Sequence, residues 1–332
     1  MKPLLKTLTE IVSPSGREEA IREAVLNLVK PYADEVRVDA LGNLIVRKGK
    51  AAKNGKRVML AAHLDEIGLM VSHVDANGFA RFSALGGFQP ARRVGTRVQF
   101  LNGVRGVIGL EQPAHLNERA PAMDKFFVDS GATSAKDAHI KVGDAAVYDT
   151  GFLEAGSRLV SKAFDDRVGV AILIETLRTL KSSPHEVYFV FTVQEEVGVR
   201  GAGPAAYGLE PEIGLSIDVT SANDQPQGSE RNPIRLGGGP AIKVKDSLMV
   251  ADPFLVEGLT RLAEKNRIPV QREVAEGIST DARAIQIAGM GARAGGLCVP
   301  LRNIHSPSEM IDMRDVENAM KLLSAFLRTA EI

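Results

Sequence analysis

The run Arg57-Val58-Met59-Leu60-Ala61-Ala62-His63 constrains this chain more than any other feature of the sequence. It is almost entirely apolar and has the length of one strand, which is typical of a strand buried on both faces. Such strands occur where helices cover both sides of a sheet. Similar runs at Glu186 to Val193 and Ala292 to Val299 alternate with helical patterns such as Asp315 to Arg328. The sequence therefore predicts an α/β fold, with a mixed, largely parallel sheet sandwiched by helices.

The region between Leu69 and Leu159 has a different character. Short β-like segments at Arg97 to Phe100, Val104 to Leu110 and Asp144 to Tyr148 are separated by glycines, and no long helical pattern is present. This pattern is typical of a small β-barrel or sandwich. We therefore expect a discontinuous α/β domain of residues 1–68 and 160–332, interrupted by an inserted β-rich domain of residues 69–159.

Charge and composition exclude several classes of protein. The 41 Lys and Arg residues balance the 41 Asp and Glu residues, which argues against an extended basic surface for nucleic acid or anionic membrane. The single cysteine, Cys298, excludes an intramolecular disulfide and any metal site built from cysteines. The first residues lack the apolar segment of a secretory signal, and no apolar run reaches the ~18 residues of a membrane span. We expect a cytoplasmic protein without nucleic-acid or membrane partners.

Acidic residues and two histidines cluster where predicted strands end or a helix begins. They are His63, Asp65 and Glu66 after the first run, Asp165 and Asp166 at the start of a helix, Glu195 and Glu196 after Val193, Asp218 at the end of the strand Gly214 to Val219, and His305 in the loop after Val299. Ligands of open α/β sheets bind outside the carboxyl ends of the strands. We therefore expect these side chains to converge.

A metal centre explains why so many acids would lie together. Burying neighbouring carboxylates is unfavourable because of desolvation and like-charge repulsion, and divalent cations remove that penalty. A mixture of imidazoles and carboxylates suits Zn²⁺, Co²⁺ or Mn²⁺ better than Ca²⁺ or Mg²⁺. Five ligands with one shared carboxylate would hold two ions about 3.5–4 Å apart. Each group also has a simpler interpretation, because Asp165 and Asp166 could cap the helix and Glu195 and Glu196 could be a solvated pair.

The segments around these residues resemble the tetrahedral aminopeptidase family. The matching segments are Ala62 to Gly68, Lys162 to Gly169, Val193 to Gly198, Ser216 to Asp218 and Ile304 to Glu309, and the stretch from Phe127 to Ser134 followed by Val142 to Asp144 resembles the family's small β domain. Members are dinuclear metallopeptidases, among them glutamyl, leucyl and deblocking aminopeptidases, and some have been labelled cellulases. The resemblance implies an enzyme that removes N-terminal residues from peptides.

The resemblance also implies a role for each residue of the site. Asp165 would bridge two divalent ions, zinc or cobalt, with His63 and Asp218 completing one metal site, Glu196 and His305 the other, Glu195 acting as general base and Asp65 orienting His63. The choice of Asp165 over Asp166 comes from the resemblance alone. Family members also have a cis peptide bond after the bridging aspartate.

Self-association and specificity are further implications of the resemblance. Family members form dimers and then tetrahedral dodecamers, so the inserted β domain is expected to serve in dimerisation and substrate access. Where the family often has a glycine pair before Thr-Asp-Ala, this chain has Gly277-Ile278-Ser279-Thr280-Asp281-Ala282. This departure lies near the expected substrate wall and bears on specificity.

Two other functions compete with the aminopeptidase. Paired carboxylates could serve a glycoside hydrolase, which needs two carboxyls about 5–9.5 Å apart and no metal. The acids could alternatively hold a structural metal in a non-catalytic scaffold, although structural sites leave no free carboxylate beside a ligand. A serine hydrolase is disfavoured because the chain has no G-x-S-x-G motif. The remaining histidines, which are His73, His115, His139 and His185, are interpreted as structural or surface residues.

Overall fold

The computed structural model describes residues 1–89, 93–111, 121–226, 228 and 233–330. His115 lies outside these residues. The helices are α1 (Lys2–Glu10), α2 (Glu19–Val29), α3 (Phe164–Thr179), α4 (Ala202–Leu209), α5 (Pro253–Lys265), α6 (Asp281–Gln286) and α7 (Met313–Arg328). Within the described part of the chain, no helix is both long and apolar enough to cross a membrane.

The strands form two separate sheets. They are β1 (Glu35–Val38), β2 (Leu44–Lys48), β3 (Arg57–His63), β4 (Gly68–Val74), β5 (Ala80–Leu85), β6 (Arg97–Phe100), β7 (Arg105–Leu110), β8 (Phe126–Asp129), β9 (Ala145–Tyr148), β10 (Leu153–Ala155), β11 (Arg158–Ser161), β12 (Glu186–Thr192), β13 (Ile213–Ser221), β14 (Ala241–Lys245), β15 (Gln271–Val274), β16 (Arg293–Arg302) and β17 (Glu309–Asp312). The larger sheet runs β1-β2-β12-β3-β13-β16-β17-β11-β10, with β14 and β15 attached beside β16.

The centre of the large sheet is parallel and its margins are antiparallel. Strands β12, β3, β13 and β16 pair in parallel, whereas β1, β2, β17, β11 and β10 pair antiparallel. The mixed, largely parallel α/β sheet with its β insertion is thereby confirmed. Because parallel strands end at the same edge, the last residues of β3, β12, β13 and β16 lie side by side.

Helices cover both faces of this sheet because its central strands are apolar on both sides. In β3, Val58, Leu60 and Ala62 belong to the core beneath α1, α2, α3, α5 and α7. The intervening Met59 and Ala61 pack with α4 and α6 on the opposite face. The period of two along a strand thus divides one apolar run between two layers.

The insertion is a closed six-stranded barrel in the order β4-β5-β8-β7-β6-β9. Its own core includes Phe82, Phe100, Ile108 and Phe126. The chain enters the barrel directly after β3 and returns to the large sheet through β10 and β11. Glu66 lies between β3 and the barrel, and Lys162 follows β11. The buried Lys162 ammonium lies 2.7 and 2.8 Å from the two carboxylate oxygens of Glu66. This ion pair joins the segments on either side of the barrel.

Candidate metal centre

The acids and histidines singled out in the sequence converge at the carboxyl edge of the large sheet. They surround a cavity of about 240 Å³, and the residues that line it include His63, Asp165, Glu195, Glu196, Asp218 and His305. His63 ends β3, Asp218 lies within β13, and the glutamates follow β12. The strand order therefore places side chains together that are far apart in the sequence.

The Asp165 carboxylate lies between the two histidines. Its Oδ1 atom is 3.0 Å from His63 Nε2, and its Oδ2 atom is 3.3 Å from His305 Nε2. His305 Nε2 is also 3.1 Å from Glu196 Oε2. Ligand atoms at about 2.0 Å from a tetrahedral ion lie about 3.3 Å from one another. These spacings therefore suit ligands that share a metal ion.

The neighbouring Asp166 is engaged differently. Both residues have non-helical backbone angles, so regular helix begins only after them, and the peptide bond between them is cis, as the resemblance implies. One Asp166 oxygen accepts a hydrogen bond from the Gly169 amide (3.0 Å), and the other accepts one from the His63 amide (3.2 Å). Asp166 thus caps the helix, as the simpler interpretation of the pair allowed.

Two groups of side chains are spaced closely enough to hold an ion. His63, Asp165 and Glu196 form one group, and His63, Asp166 and Asp218 form the other, with the ligand atoms of each group within 4.8 Å of one another. The Oε1 atom of Glu196 is buried without a hydrogen-bond partner among the described residues. A divalent cation satisfies such an oxygen, so the donor set fits a metal centre.

The electrostatics of the cavity indicate an excess of negative charge. Burial opposes protonation of His305, but Glu196 and Asp165 outweigh it and raise its pKa to about 11. Burial raises the pKa of Asp218 to about 7 and that of Glu195 well above the usual range. The pKa values of these groups are raised because several carboxylates lie together in a buried site. A site of that kind favours a bound cation.

Asp65 lies behind the cavity and is fully buried. Its backbone carbonyl is 3.0 Å from His63 Nδ1 and a carboxylate oxygen is 3.6 Å from the same atom, and the carboxylate accepts hydrogen bonds from the backbone amides of Glu195 (3.0 Å) and Glu196 (3.2 Å). The same carboxylate accepts a 2.6 Å hydrogen bond from the Ser15 hydroxyl. Asp65 therefore contacts one histidine of the site and the backbone of both glutamates.

Two further acids belong to the site although sequence reasoning gave them no role. The buried Glu309 accepts hydrogen bonds from the amides of Asp165 (3.1 Å) and His305 (2.9 Å). The buried Asp281 accepts a 2.5 Å hydrogen bond from Thr192, and burial raises its pKa to about 6. Glu309 lies in the segment Ile304 to Glu309, and Asp281 lies in the segment Gly277 to Ala282, and both segments were compared with the family. Their place in these segments is the sequence signal that could have identified them.

The other histidines lie elsewhere. His73 and His139 are exposed on the barrel. The buried His185 contacts the backbone amide of Lys56 and the carbonyl of Thr329, which is a structural role.

Comparisons with known proteins agree with this geometry. The sequence pattern of the family described as M42 glutamyl aminopeptidase matches residues 42–322. A protein of Acetivibrio thermocellus, named provisionally as an aminopeptidase, is 43% identical over 97% of both chains. The lysyl aminopeptidase of Pyrococcus furiosus is 36% identical over 98% of this chain and 96% of its own.

Solved structures are similar over nearly the whole chain. An aminopeptidase from the archaeon Desulfurococcus kamchatkensis has a TM-score of 0.94 at 41% identity, covering 98% of this chain and 94% of its own. The Pyrococcus horikoshii TET1 peptidase, described as assembling into a tetrahedron or a large octahedral shell, has a TM-score of 0.87 at 33% identity, covering 98% and 99%. A Thermotoga maritima protein described as an endoglucanase has a TM-score of 0.83 at 31% identity, covering 98% and 97%.

Proposed function

The chain belongs to the M42 glutamyl aminopeptidase family and is an aminopeptidase, and we propose that it cleaves peptides with two divalent ions and Glu195 as general base. The observation that carries this proposal is the Asp165 carboxylate, which lies with one oxygen toward His63 and the other toward His305. A shared carboxylate in that position is what a dinuclear centre requires.

We assign the ligands by the side of Asp165 on which they lie. His63 and Asp218 would hold one ion, Glu196 and His305 the other, and Asp165 would bridge them. Asp165 is preferred to Asp166 for bridging because both oxygens of Asp166 already accept hydrogen bonds from backbone amides. Zinc or cobalt suits this mixture of imidazole and carboxylate donors.

Glu195 is proposed as the group that moves the proton. When bound, two such ions would polarise the scissile carbonyl and lower the pKa of a water molecule towards ~7. Glu195 lines the cavity next to the ligand Glu196, and its Oε2 atom is 3.9 Å from His63 Nε2. It can accept a proton from water and transfer it to the leaving amine. Asp65 supports this step because it holds the Glu195 backbone in place.

Self-association is part of the same proposal. We propose that residues 1–68 and 160–332 form the catalytic domain and that residues 69–159 serve in dimerisation and substrate access. The barrel exposes apolar side chains at Leu101 (45%), Val107 (42%) and Val142 (65%). The assemblies described for the TET1 peptidase support self-association of this chain, and the form we propose is a dimer that assembles into a tetrahedral dodecamer.

A glycoside hydrolase is the second candidate, and the similarity to the Thermotoga maritima protein described as an endoglucanase favours it. Glycosidases of the common type use two carboxyls flanking a sugar without a metal. Here two histidines lie among the carboxylates, and this chain has no tryptophan for stacking against a sugar ring. The geometry supports the peptidase better.

Removal and replacement of metal tests the proposal. The purified protein is assayed with a panel of aminoacyl p-nitroanilides and with carboxymethylcellulose, before and after treatment with a chelator. We expect p-nitroaniline release to stop on chelation and to return with Zn²⁺ or Co²⁺, with no sugar release. Full peptidase activity in protein shown by elemental analysis to be free of metal would contradict the mechanism, and sugar release that is insensitive to the chelator would favour the glycosidase.

A further inference from the structure

One wall of the catalytic cavity is apolar. Besides the acids and histidines, the residues that line the cavity include Val199, Val219, Leu248, Ile278 and Ile304. Ile278 lies in the segment Gly277 to Ala282, where the sequence departs from the family pattern, and it is half-buried. This chain therefore has a branched aliphatic side chain at the wall.

Hydrogen bonds hold this wall in a fixed position. The Asp246 carboxylate accepts hydrogen bonds from the amides of Leu248 (2.8 Å) and Met249 (2.7 Å), which closes a tight turn. Ser247 in that turn accepts a hydrogen bond from the Gly277 amide (2.6 Å), and its own amide donates to the Ile278 carbonyl (3.0 Å). The two segments that carry Leu248 and Ile278 are thus hydrogen-bonded to each other, and both residues line the cavity.

The described residues that line this cavity include no charged group beyond those already assigned to the metal centre and the general base. Arg283 lines a neighbouring cavity of about 520 Å³, which shares Val199 and Leu248 with the catalytic cavity. A charged substrate side chain placed against the apolar wall would lose water, and the Ser279 hydroxyl that also lines the cavity carries no charge to compensate it, which is unfavourable. An aliphatic side chain would gain burial at the same place.

We infer that this wall is the subsite for the substrate's first side chain and that it selects peptides with aliphatic N-terminal residues. The inference rests on the proposed function, because it deepens the same site. A cavity of about 240 Å³ is smaller than the ~300–1,000 Å³ of sites that enclose whole drug-sized ligands, so it accommodates one side chain beside the reacting bond. Relatives named for lysine or glutamate would need a charged partner that this wall lacks.

Comparison of substrates with one leaving group tests the inference. We expect kcat/KM for leucine and methionine p-nitroanilides to exceed that for the glutamate and lysine substrates by at least about tenfold. We also expect free leucine to raise the thermal midpoint of the metal-loaded protein more than free glutamate or lysine, because only a ligand that binds the folded state stabilises it.

A substitution at the exposed residue Leu248 provides a second test with little risk to folding. Leu248→Asp should raise the lysine-to-leucine ratio of kcat/KM by about tenfold, since it supplies a carboxylate for a cationic side chain. Leu248→Asn has the same shape without the charge and should not favour lysine. Val250→Asp is the matched control, because Val250 is similarly exposed (64%) and outside the lining of the cavity, and its ratio should equal that of the wild type.

The outcomes separate this inference from the proposed function. Hydrolysis of none of the substrates would overturn the aminopeptidase mechanism itself. Equal rates for all four substrates, or a preference for lysine, would overturn only the apolar subsite. A preference for glutamate that disappears in Arg283→Ala would also overturn it and would place the substrate side chain in the neighbouring cavity instead.

Discussion

At the scale of single residues, the site depends on which way adjacent carboxylates face. Asp165 and Asp166 are identical in chemistry and neighbours in sequence, yet one faces two histidines and the other caps a helix. The sequence could indicate that acids gather here, but it could not distinguish these two, because the difference lies in their backbone angles. The same reason explains why Glu309 was given no role, since only the folded chain brings it to the amides of Asp165 and His305.

Glu195→Gln tests whether Glu195 is the general base while the adjacent Glu196 is a metal ligand. We expect both ions to be retained while kcat falls by about 10²–10⁴-fold, because the amide cannot accept the proton from water. Metal content by elemental analysis and steady-state kinetics on one p-nitroanilide measure the two effects. Glu196→Gln is the matched control and should lose metal as well as activity. Unchanged turnover in Glu195→Gln would contradict the assignment of the general base.

At the scale of elements, periodicity predicted the central strands and the long helices well. Strand β3 has the bounds that its pattern indicates, helix α7 contains the predicted segment Asp315 to Arg328, and the large apolar runs form the parallel centre of the sheet. Helix α4 was not predicted, because Gly203, Pro204 and Gly208 weaken its local preference for helix. Its burial against α6 supplies the stability that local preference does not. Short marginal strands such as β17 were also missed, since four residues carry little periodic signal.

The loop after β5 links the barrel to the metal centre, and Gly87→Ala tests this link. A Cβ atom at Gly87 would overlap the His305 ring, so the histidine must shift from its position beside Asp165 and Glu196. We expect metal affinity to fall about 10–100-fold, as is typical when the support of a ligand is disturbed. Metal titration followed by calorimetry measures the change.

Gly151→Ala is the matched control for this variant, because a Cβ atom there would meet nothing within 4 Å. It should bind metal like the wild-type protein. If Gly87→Ala also binds metal with unchanged affinity, the barrel loop does not support His305.

At the scale of the whole molecule, the sequence predicted one α/β unit interrupted by a β insertion, and the fold confirms it. Assembly could not be derived in the same way. A net charge of zero and scattered apolar side chains are compatible with many oligomeric states, so only the family resemblance indicated a dodecamer.

Light scattering coupled to size-exclusion chromatography measures the assembly directly. Twelve chains of 35.6 kDa should elute as one particle of about 430 kDa, with dimers of about 71 kDa as the expected dissociation product at low protein concentration. The metal-loaded protein is the appropriate sample, and size standards run under the same buffer conditions serve as controls. A single species of monomer mass at all concentrations would contradict the proposed self-association.

The Glu66–Lys162 pair limits how the barrel can move. It ties the segment before the barrel to the segment after it, at the base of the insertion. Pulling these two segments apart would separate two buried charges, and leaving such a charge without its partner costs about 3–5 kcal/mol. We therefore expect the two connections of the barrel to keep the same spacing in the free and the substrate-bound protein.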